Sequence, residues 1–169
     1  MRPMRRQDRE IKDPEKILSI IAACPYCHLG FSDQGKPYVV PVNFGYAVED
    51  GRTVFYFHGA REGRKIDLIR DTGWACMQME EGYQLHRADR ACGHSAAFRS
   101  IIAEGPVSFV EDAEEKRRAL SLVMAHAAGS ENWEFPDAAL NSVCVYRLEA
   151  QALTCRKDRK STRLNSSHL

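Results

Sequence analysis

The chain has 169 residues, of which 44% are hydrophobic, and its 24 basic and 23 acidic residues leave a net charge of +1. This length and apolar content can bury one sizeable core and predict a single domain. The balanced charge excludes the broad basic surface typical of nucleic-acid-binding proteins. No apolar run reaches the length of a membrane span. The charged start, MRPMRRQDREIKDPEK, lacks the apolar segment of a secretory signal, so we expect a cytoplasmic protein.

The first predicted element is a helix. Residues 13–16, Asp-Pro-Glu-Lys, have the pattern of an N-cap and first turn, and the apolar spacing that follows predicts a helix ending near Cys24. The next stretch, CPYCHLG, has the dithiol spacing of glutaredoxins at Cys24 and Cys27, and with His28 the attachment motif of c-type haem. Haem attachment requires export, and a reactive dithiol normally opens a helix rather than following one. We therefore interpret both cysteines as packed thiols and keep a thiol redox protein as an alternative.

A β-hairpin is predicted next, over YCHLGFSDQGKPYVVPVNFGYAV, with its turn at residues 32–35. Gly30, Gly35 and Lys36 nearly match a phosphate-binding P-loop, but Pro37 stands where Ser or Thr is needed. A P-loop also opens a helix, whereas the residues that follow favour a strand. The sequence therefore does not predict a nucleotide-binding P-loop here.

The remainder of the chain is predicted to consist mainly of strands. The elements are a turn at 49–52, a strand at 53–58, a loop and short helix at 59–71, a strand at 74–80, a loop at 81–95, a strand at 97–111 bent at Gly105-Pro106, a helix from Asp112 to about Ala127, and one or two strands within 142–155. About six strands, with helices only between or outside them, predict a mainly β protein that forms a small barrel. We expect one domain over 1–156 and a polar tail over 157–169, whose end, STRLNSSHL, looks vector-derived.

Basic and glycine residues gather where the strand at 53–58 leads into the short helix. The cluster comprises His58, Gly59, Arg61, Gly63, Arg64 and Lys65. Basic side chains normally avoid a helix N-terminus, where the dipole is already positive, and a bound anion would resolve this conflict. Free N–H groups beside Arg and Lys form a suitable site for a terminal phosphate. A solvated basic loop with chance clustering explains the spacing equally well.

Four stretches of the sequence together resemble one known family. They are MRRQDREI, GKPYVVPVNFGY, YFHGAREGRKIDLIR and FRSIIAEGPVSFVEDAEEKRRAL. In this order they resemble the FMN-binding split-barrel superfamily of pyridoxamine 5'-phosphate oxidase-like proteins, and within it the 5-nitroimidazole-resistance branch. The resemblance runs from about Met4 to Arg156. It implies a mainly β, six-stranded split barrel with peripheral helices, a homodimer, and FMN bound at the dimer interface.

The resemblance also implies roles for individual residues. The FMN phosphate would lie near Arg64 and Lys65. His58 matches a histidine that lies near the flavin in the nitroimidazole-resistance branch and is implicated in its activity. The residues implied to contact the flavin ring are Val40, Pro41, Val42 and Asn43 on one strand, with Ser100 on a neighbouring strand as a weaker candidate.

The sequence departs from the family pattern at three places. Gly59 replaces a more common serine, so one hydroxyl contact is missing, and Ser100 stands where oxidase relatives often carry glutamine. No Arg-x-His signature for pyridoxal phosphate occurs near the C-terminus, which argues against true pyridoxamine-phosphate oxidase activity. No metal site is expected.

The resulting hypothesis is an FMN-dependent oxidoreductase that reduces 5-nitroimidazoles or related small aromatic compounds. His58 is then either a proton donor or only a contact to the cofactor. A flavin carrier or sensor without turnover and a thiol protein using Cys24 and Cys27 remain as alternatives. The sequence contains no dinucleotide-binding Gly-x-Gly-x-x-Gly fingerprint and therefore does not identify the electron donor.

Overall fold

The computed structural model describes residues 2–130 and 132–158. Within these residues the chain forms nine strands and four α-helices. The strands are β1 (Glu10–Ile11), β2 (Cys27–Asp33), β3 (Lys36–Val42), β4 (Gly45–Glu49), β5 (Arg52–Gly59), β6 (Trp74–His86), β7 (Ser95–Phe109), β8 (Cys144–Glu149) and β9 (Ala152–Lys157). The helices are α1 (Pro14–Ala23), α2 (Arg64–Thr72), α3 (Ala113–Ala128) and α4 (Asp137–Ser142).

The strands form one continuous antiparallel path with two open ends. Its order is β3-β2-β6-β7-β8-β5-β4, and β9 joins the side of β7 and also pairs with β1. β3 and β4 are the two ends of this path, and β1, which pairs only with β9, is a third edge strand among the described residues. The mainly β split barrel that the sequence predicted is confirmed, with more strands than the expected six.

β7 connects the two halves of the barrel. Its residues 95–106 pair with β6, and its last residues, 107–109, pair with β8 in the second half. β7 also pairs with β9 up to Glu104 and with β8 from Val107, and Gly105 lies between these two pairings, where an added Cβ atom would lie 1.9 Å from the carbonyl oxygen of Glu149. Only glycine allows the turn between β8 and β9 to approach β7 this closely.

Two hydrophobic clusters stabilise the barrel. The larger one fills the interior with side chains from both halves, including Leu29, Met77, Phe55 and Tyr146. The smaller one lies between the outer face of β5 and β8 and the inner face of α3, around Val123. Burial of this apolar surface is the main source of folding free energy.

Three of the four helices, α1, α2 and α3, lie close to where the sequence predicted them, whereas α4 was not predicted. Asp13 accepts a hydrogen bond from the Glu15 N–H at 3.1 Å at the start of α1, and Asp112 accepts one from the Glu115 N–H at 2.9 Å at the start of α3. Gly129 ends α3 with a left-handed backbone, φ 70°. These caps satisfy backbone groups that a helix leaves without partners at its ends.

Some predictions were wrong or fall outside the described residues. The expected loop at 81–95 is shorter than predicted, because β6 extends to His86 and β7 begins at Ser95, so that only residues 87–94 connect the two strands. The pairing of β6 with β7 contains a bulge between Glu81 and Gln84. Of the expected tail, Lys157 belongs to β9, Asp158 is hydrogen-bonded through its N–H to Phe98, and the rest lies outside the described residues.

Candidate anion and flavin site

The junction of β5 and α2 leaves the start of a helix uncapped. Gly63, with φ 129° and ψ 164°, precedes α2 in a conformation that residues other than glycine rarely adopt. No side chain caps this helix. The first N–H groups of α2 therefore have no intrahelical partner and are available to an anion.

Arg64, the first residue of α2, is already paired within the chain. Its Nε and Nη2 atoms donate to Oδ2 of Asp33 at 2.9 and 2.6 Å. Its guanidinium carbon also lies 4.3 Å from the centre of the Tyr38 ring, within the range of a cation–π contact. Arg64 thus fastens α2 to the turn between β2 and β3.

Lys65 lies beside Arg64, and no ion pair found within the described residues involves it. Its ammonium nitrogen lies 5.5 Å from the centre of the Tyr146 ring. An added Cβ atom at Gly59 would lie 3.5 Å from that nitrogen, so the ammonium group stands directly over the end of β5. Burial lowers the pKa of Lys65. A cation in this state gains stability from an anionic ligand.

His58 stands at the end of β5, next to Gly59. In the pairing of β5 with β8 it lies opposite Val145. Its side chain is exposed, yet partial desolvation and then the positive charge of Lys65 lower the pKa of the imidazole below its ordinary value. The neutral ring, which can both accept and donate a hydrogen bond, is therefore favoured near pH 7.

The strand predicted to contact a flavin ring is β3, an edge strand of the described sheet. The side chains of Val40 and Val42 pack against the core, whereas Pro41 and Asn43 are exposed. An edge strand leaves alternate backbone groups without a ladder partner, and proline is tolerated there because it lacks an N–H. The free edge of β3 offers backbone groups to a planar ligand.

Ser100 is not near β3 within one chain. It lies in β7, opposite Glu80 of β6 and Arg156 of β9. Both β2 and β6 stand between β7 and β3, which corresponds to about 14 Å at the usual strand spacing. The strand of Ser100 is therefore not a neighbour of β3, contrary to expectation, and any flavin contact by Ser100 stays a prediction.

Three residues that the sequence did not single out complete this region. Asp33 and Tyr38 hold Arg64, and Tyr146 lies under Lys65. The Tyr146 ring stacks on Phe57 at 5.2 Å, and its hydroxyl is buried without a hydrogen-bond partner among the described residues. No local sequence signal links these residues, because they reach the site through packing between distant parts of the chain.

The paired cysteines are buried in the barrel. Cys24 and Cys27 are both 0% exposed. Burial raises the pKa of Cys24 to about 12 and raises that of Cys27 as well. Nucleophilic or redox chemistry requires the thiolate. These two residues therefore act as apolar packing residues at neutral pH, as the sequence predicted.

Comparisons with known proteins place the chain in a family. The family model described as pyridoxamine 5'-phosphate oxidase matches residues 13–157. The chain belongs to this family. A crystal structure of a protein assigned to 5-nitroimidazole antibiotic resistance, from Bacteroides thetaiotaomicron, is 34% identical, with a TM-score of 0.76 over 88% of this chain and 86% of that one. No curated protein sequence matches this chain.

Two more distant structures share the fold of this family. The flavocytochrome Anf3 from Azotobacter vinelandii is 21% identical, with a TM-score of 0.75 over 94% of this chain and 73% of that one. An FAD- and heme-binding protein from Mycobacterium smegmatis is 15% identical, with a TM-score of 0.74 over 88% and 72% of the two chains.

The described residues contain neither a membrane-spanning helix nor a cluster of metal-ligand side chains. No helix there is both long enough and apolar enough to cross a membrane. No three His, Cys, Asp or Glu side chains within residues 2–130 and 132–158 come together in a group that could hold a metal ion.

Proposed function

We propose that the protein binds FMN and acts as a cytoplasmic reductase of 5-nitroimidazoles or related small aromatic compounds. The observation that carries the proposal is Lys65, an ammonium group without an ion-pair partner among the described residues, at the uncapped start of α2. Its chemistry fits a phosphate monoester, since the lysine supplies charge and the helix supplies N–H donors. The 34% identical nitroimidazole-resistance protein supports the choice of substrate class.

In this proposal Lys65 and the first N–H groups of α2 hold the FMN phosphate. Arg64 has a smaller share, because Asp33 already occupies its guanidinium group. The free edge of β3 from Val40 to Val42, together with Asn43 just after the strand, orients the ring. When bound, FMN supplies the electron transfer that no amino-acid side chain can supply.

A second copy of the chain would complete the site. Val39 and Ile102 share the outer face of the sheet with Pro41, and they are 61% and 42% exposed. Exposed apolar side chains on one face suit an interface between identical subunits. In such a homodimer, Ser100 of the partner subunit could lie near the flavin bound at β3.

His58 would serve as a reversible proton carrier next to the flavin. Its lowered pKa keeps it mostly neutral near pH 7, so it would have to take up a proton before donating one. A role as proton donor therefore predicts that the rate rises as the pH falls towards the pKa of His58. A role as cofactor contact predicts a change in FMN affinity without that pH dependence.

The first test is the visible spectrum of the purified protein, with mass identification of any released cofactor and a titration of the cofactor-free protein with FMN. The second test is anaerobic mixing of the reduced flavoprotein with a 5-nitroimidazole. Reoxidation faster than that of free reduced FMN would support the reductase. Bound FMN that is not reoxidised would favour a carrier or sensor, and protein that does not bind added FMN would overturn the proposal.

His58→Ala and His58→Gln, assayed at saturating FMN across the pH range, test the role of the histidine. Full turnover and an unchanged pH profile in both variants would remove the proton-donor role. His94→Gln is the matched control, because His94 is an exposed histidine in the loop between β6 and β7.

A further inference from the structure

A cleft separate from the predicted flavin contacts lies between α2, the start of α3 and the beginning of β8. Its volume is about 290 Å³. Arg61, Arg70 and Lys116 line it together with one acidic residue, Glu111. Neither His58, Arg64 nor Lys65 is part of its wall.

Lys116 is the unusual member of this wall. It is 9% exposed and is the only buried charged residue among the described residues. Its ammonium group donates to the carbonyl oxygen of Leu140 at 3.4 Å, and no ion pair found in the described part of the chain involves it. A buried ammonium group with one long hydrogen bond is poorly compensated for the water it has lost.

The other charges of the cleft do not provide the missing compensation. Arg61 is exposed, and no ion pair found among the described residues includes it. Arg70 pairs with Asp67 at 3.3 Å, but both side chains are more than 60% exposed, so the pair is weak. Glu111 is the only carboxylate that the described residues contribute to the wall, and no ion pair among them joins it to Lys116. With three cationic side chains and one carboxylate, the wall of the cleft has a net positive charge.

The rest of the wall is apolar. It is formed by Ile66, Phe109, Val110, Val143 and Val145, with the Cys144 thiol among them. Desolvation is the largest effect on this thiol and raises the pKa of Cys144; the charge of Glu111 also raises it, while the positive charges of Lys116, Arg61 and Lys65 act in the opposite direction. A small site with an apolar wall and a cationic end suits an organic anion better than a bare ion.

We propose that this cleft binds a small organic anion, whose carboxylate or phosphate oxygens contact Lys116 and Arg61 and whose apolar part packs against the valines of the wall. The inference does not depend on flavin binding. The site would still lie close to His58, because Val145 in the wall is the direct cross-strand partner of His58 in β5.

The test is calorimetric titration of the purified protein at constant ionic strength. Benzoate, phenyl phosphate and inorganic phosphate are the anionic probes, and benzamide is the neutral analogue of benzoate. We expect saturable binding of benzoate or phenyl phosphate, with benzamide at least tenfold weaker. Binding of inorganic phosphate alone would identify a simple anion site and overturn the organic-anion assignment.

Two variants locate the bound anion. Lys116→Met removes the buried charge at nearly constant volume, and we expect at least tenfold weaker binding. Arg61→Gln changes an exposed residue and so should fold even if Lys116→Met does not. We expect this variant to bind the anion severalfold more weakly. Lys12→Met is the control, since Lys12 is 80% exposed. Binding equal to that of the unmodified protein in either folded variant would overturn the proposal.

Each titration is repeated with saturating FMN. Unchanged affinity for benzoate or phenyl phosphate is expected, because none of the predicted flavin contacts lines the cleft. Competition between FMN and the probe would assign the anion to the flavin site and overturn the proposal. A protein that fails to bind FMN but still binds benzoate would separate the failure of the proposed function from that of this inference.

Discussion

Arg64 and Asp33 are 31 positions apart, yet two guanidinium nitrogens of Arg64 donate to a single carboxylate oxygen of Asp33, at 2.9 and 2.6 Å. This contact joins the start of α2 to the turn between β2 and β3. It also distinguishes two adjacent basic residues, because Lys65 is left without such a partner among the described residues.

This difference predicts unequal effects on FMN binding. Lys65→Met should weaken FMN binding about tenfold to hundredfold, the usual cost of losing one charge-assisted hydrogen bond. Arg64→Gln should weaken it less, since the guanidinium group stays with Asp33. Fluorescence titration of the cofactor-free variants measures both, with Lys36→Met as an exposed control on β3. An equal or larger loss in Arg64→Gln would contradict the assignment of the phosphate to Lys65.

The pKa of His58 can be measured directly by an NMR titration of its ring protons. The midpoint should lie below the ordinary value of 6.5, because partial desolvation and the charge of Lys65 both disfavour the protonated ring. Lys65→Met should raise the midpoint only in part, since desolvation is the larger effect. A midpoint at or above 6.5 in the unmodified protein would contradict this prediction.

The lowered pKa of His58 also has a consequence for stability. The unfolded chain binds a proton at His58 more readily than the folded one, so acidification through pH 6.5 favours unfolding until the folded pKa is passed. His58→Gln should therefore lose less unfolding free energy than the unmodified protein between pH 7.5 and 5.5. Denaturant unfolding at a series of pH values measures the difference.

The buried thiols should be inert in the folded protein. With a thiol reagent at neutral pH, exposed Cys92 should react rapidly, whereas Cys24 and Cys27 should react only after denaturation. Cys92→Ser should remove the rapid phase. Rapid modification of Cys24 or Cys27 in the folded protein would restore the thiol redox alternative.

Glu49 holds α3 against the barrel. Its carboxylate accepts hydrogen bonds from the Tyr56 hydroxyl at 2.5 Å, from Arg118 at 2.6 Å and from Arg147 at 3.2 Å. Burial alone would raise the pKa of Glu49, but these hydrogen bonds and the arginine charges outweigh it and lower the pKa. Glu49→Gln should reduce the free energy of unfolding by about 1–3 kcal/mol.

The pH dependence gives that prediction a second measurement. Because the folded pKa of Glu49 lies below the ordinary value of 4.5, its contribution is complete above about pH 4.5 and is lost as the pH falls through the folded pKa. The unfolding free energy of Glu49→Gln should therefore fall less steeply in acid. Glu134→Gln, at an exposed position, is the control, and an equal effect of both substitutions would refute the role of Glu49.

Gly105 tests the crossing of β7 from one half of the barrel to the other. Gly105→Ala places a Cβ atom 1.9 Å from a backbone oxygen, which cannot move without displacing the turn between β8 and β9. We expect a loss of at least about 2 kcal/mol of unfolding free energy. Gly30→Ala is the matched control, since its Cβ atom would find its nearest neighbour at 3.5 Å. Similar stability of the two variants would contradict the close approach of the Glu149 carbonyl to Gly105.

Structural features that depend only on residues close together in the sequence could be predicted. The caps at Asp13 and Asp112 and the turns at 32–35 and 49–52 were predicted correctly, because a cap or tight turn is fixed by residue types a few positions apart. The continuation of β6 was missed for a local reason. A bulge after Glu81 interrupts the alternation of apolar and polar residues, and Tyr83 beyond it is 71% exposed.

The division of the first long hairpin into β3 and β4 could not be predicted from local sequence. The chain leaves β3 at Asn43 and enters β4 at Gly45, where an added Cβ atom would lie 2.4 Å from the backbone nitrogen of Val123 in α3. The backbone at the start of β4 is therefore packed against α3, which lies almost eighty positions later in the chain. Packing against that helix decides where β4 begins.

The sequence by itself determined the mainly β composition, the helix caps and the cluster of basic residues around Lys65. The tertiary structure decided which of those charges has a partner: Asp33 holds Arg64, while Lys65 and the buried Lys116 have no carboxylate partner among the described residues. The physical reason is the sequence distance over which each kind of interaction acts. Propensities and caps act over a few residues, whereas ion pairing and desolvation depend on which distant segments the folded barrel brings into contact.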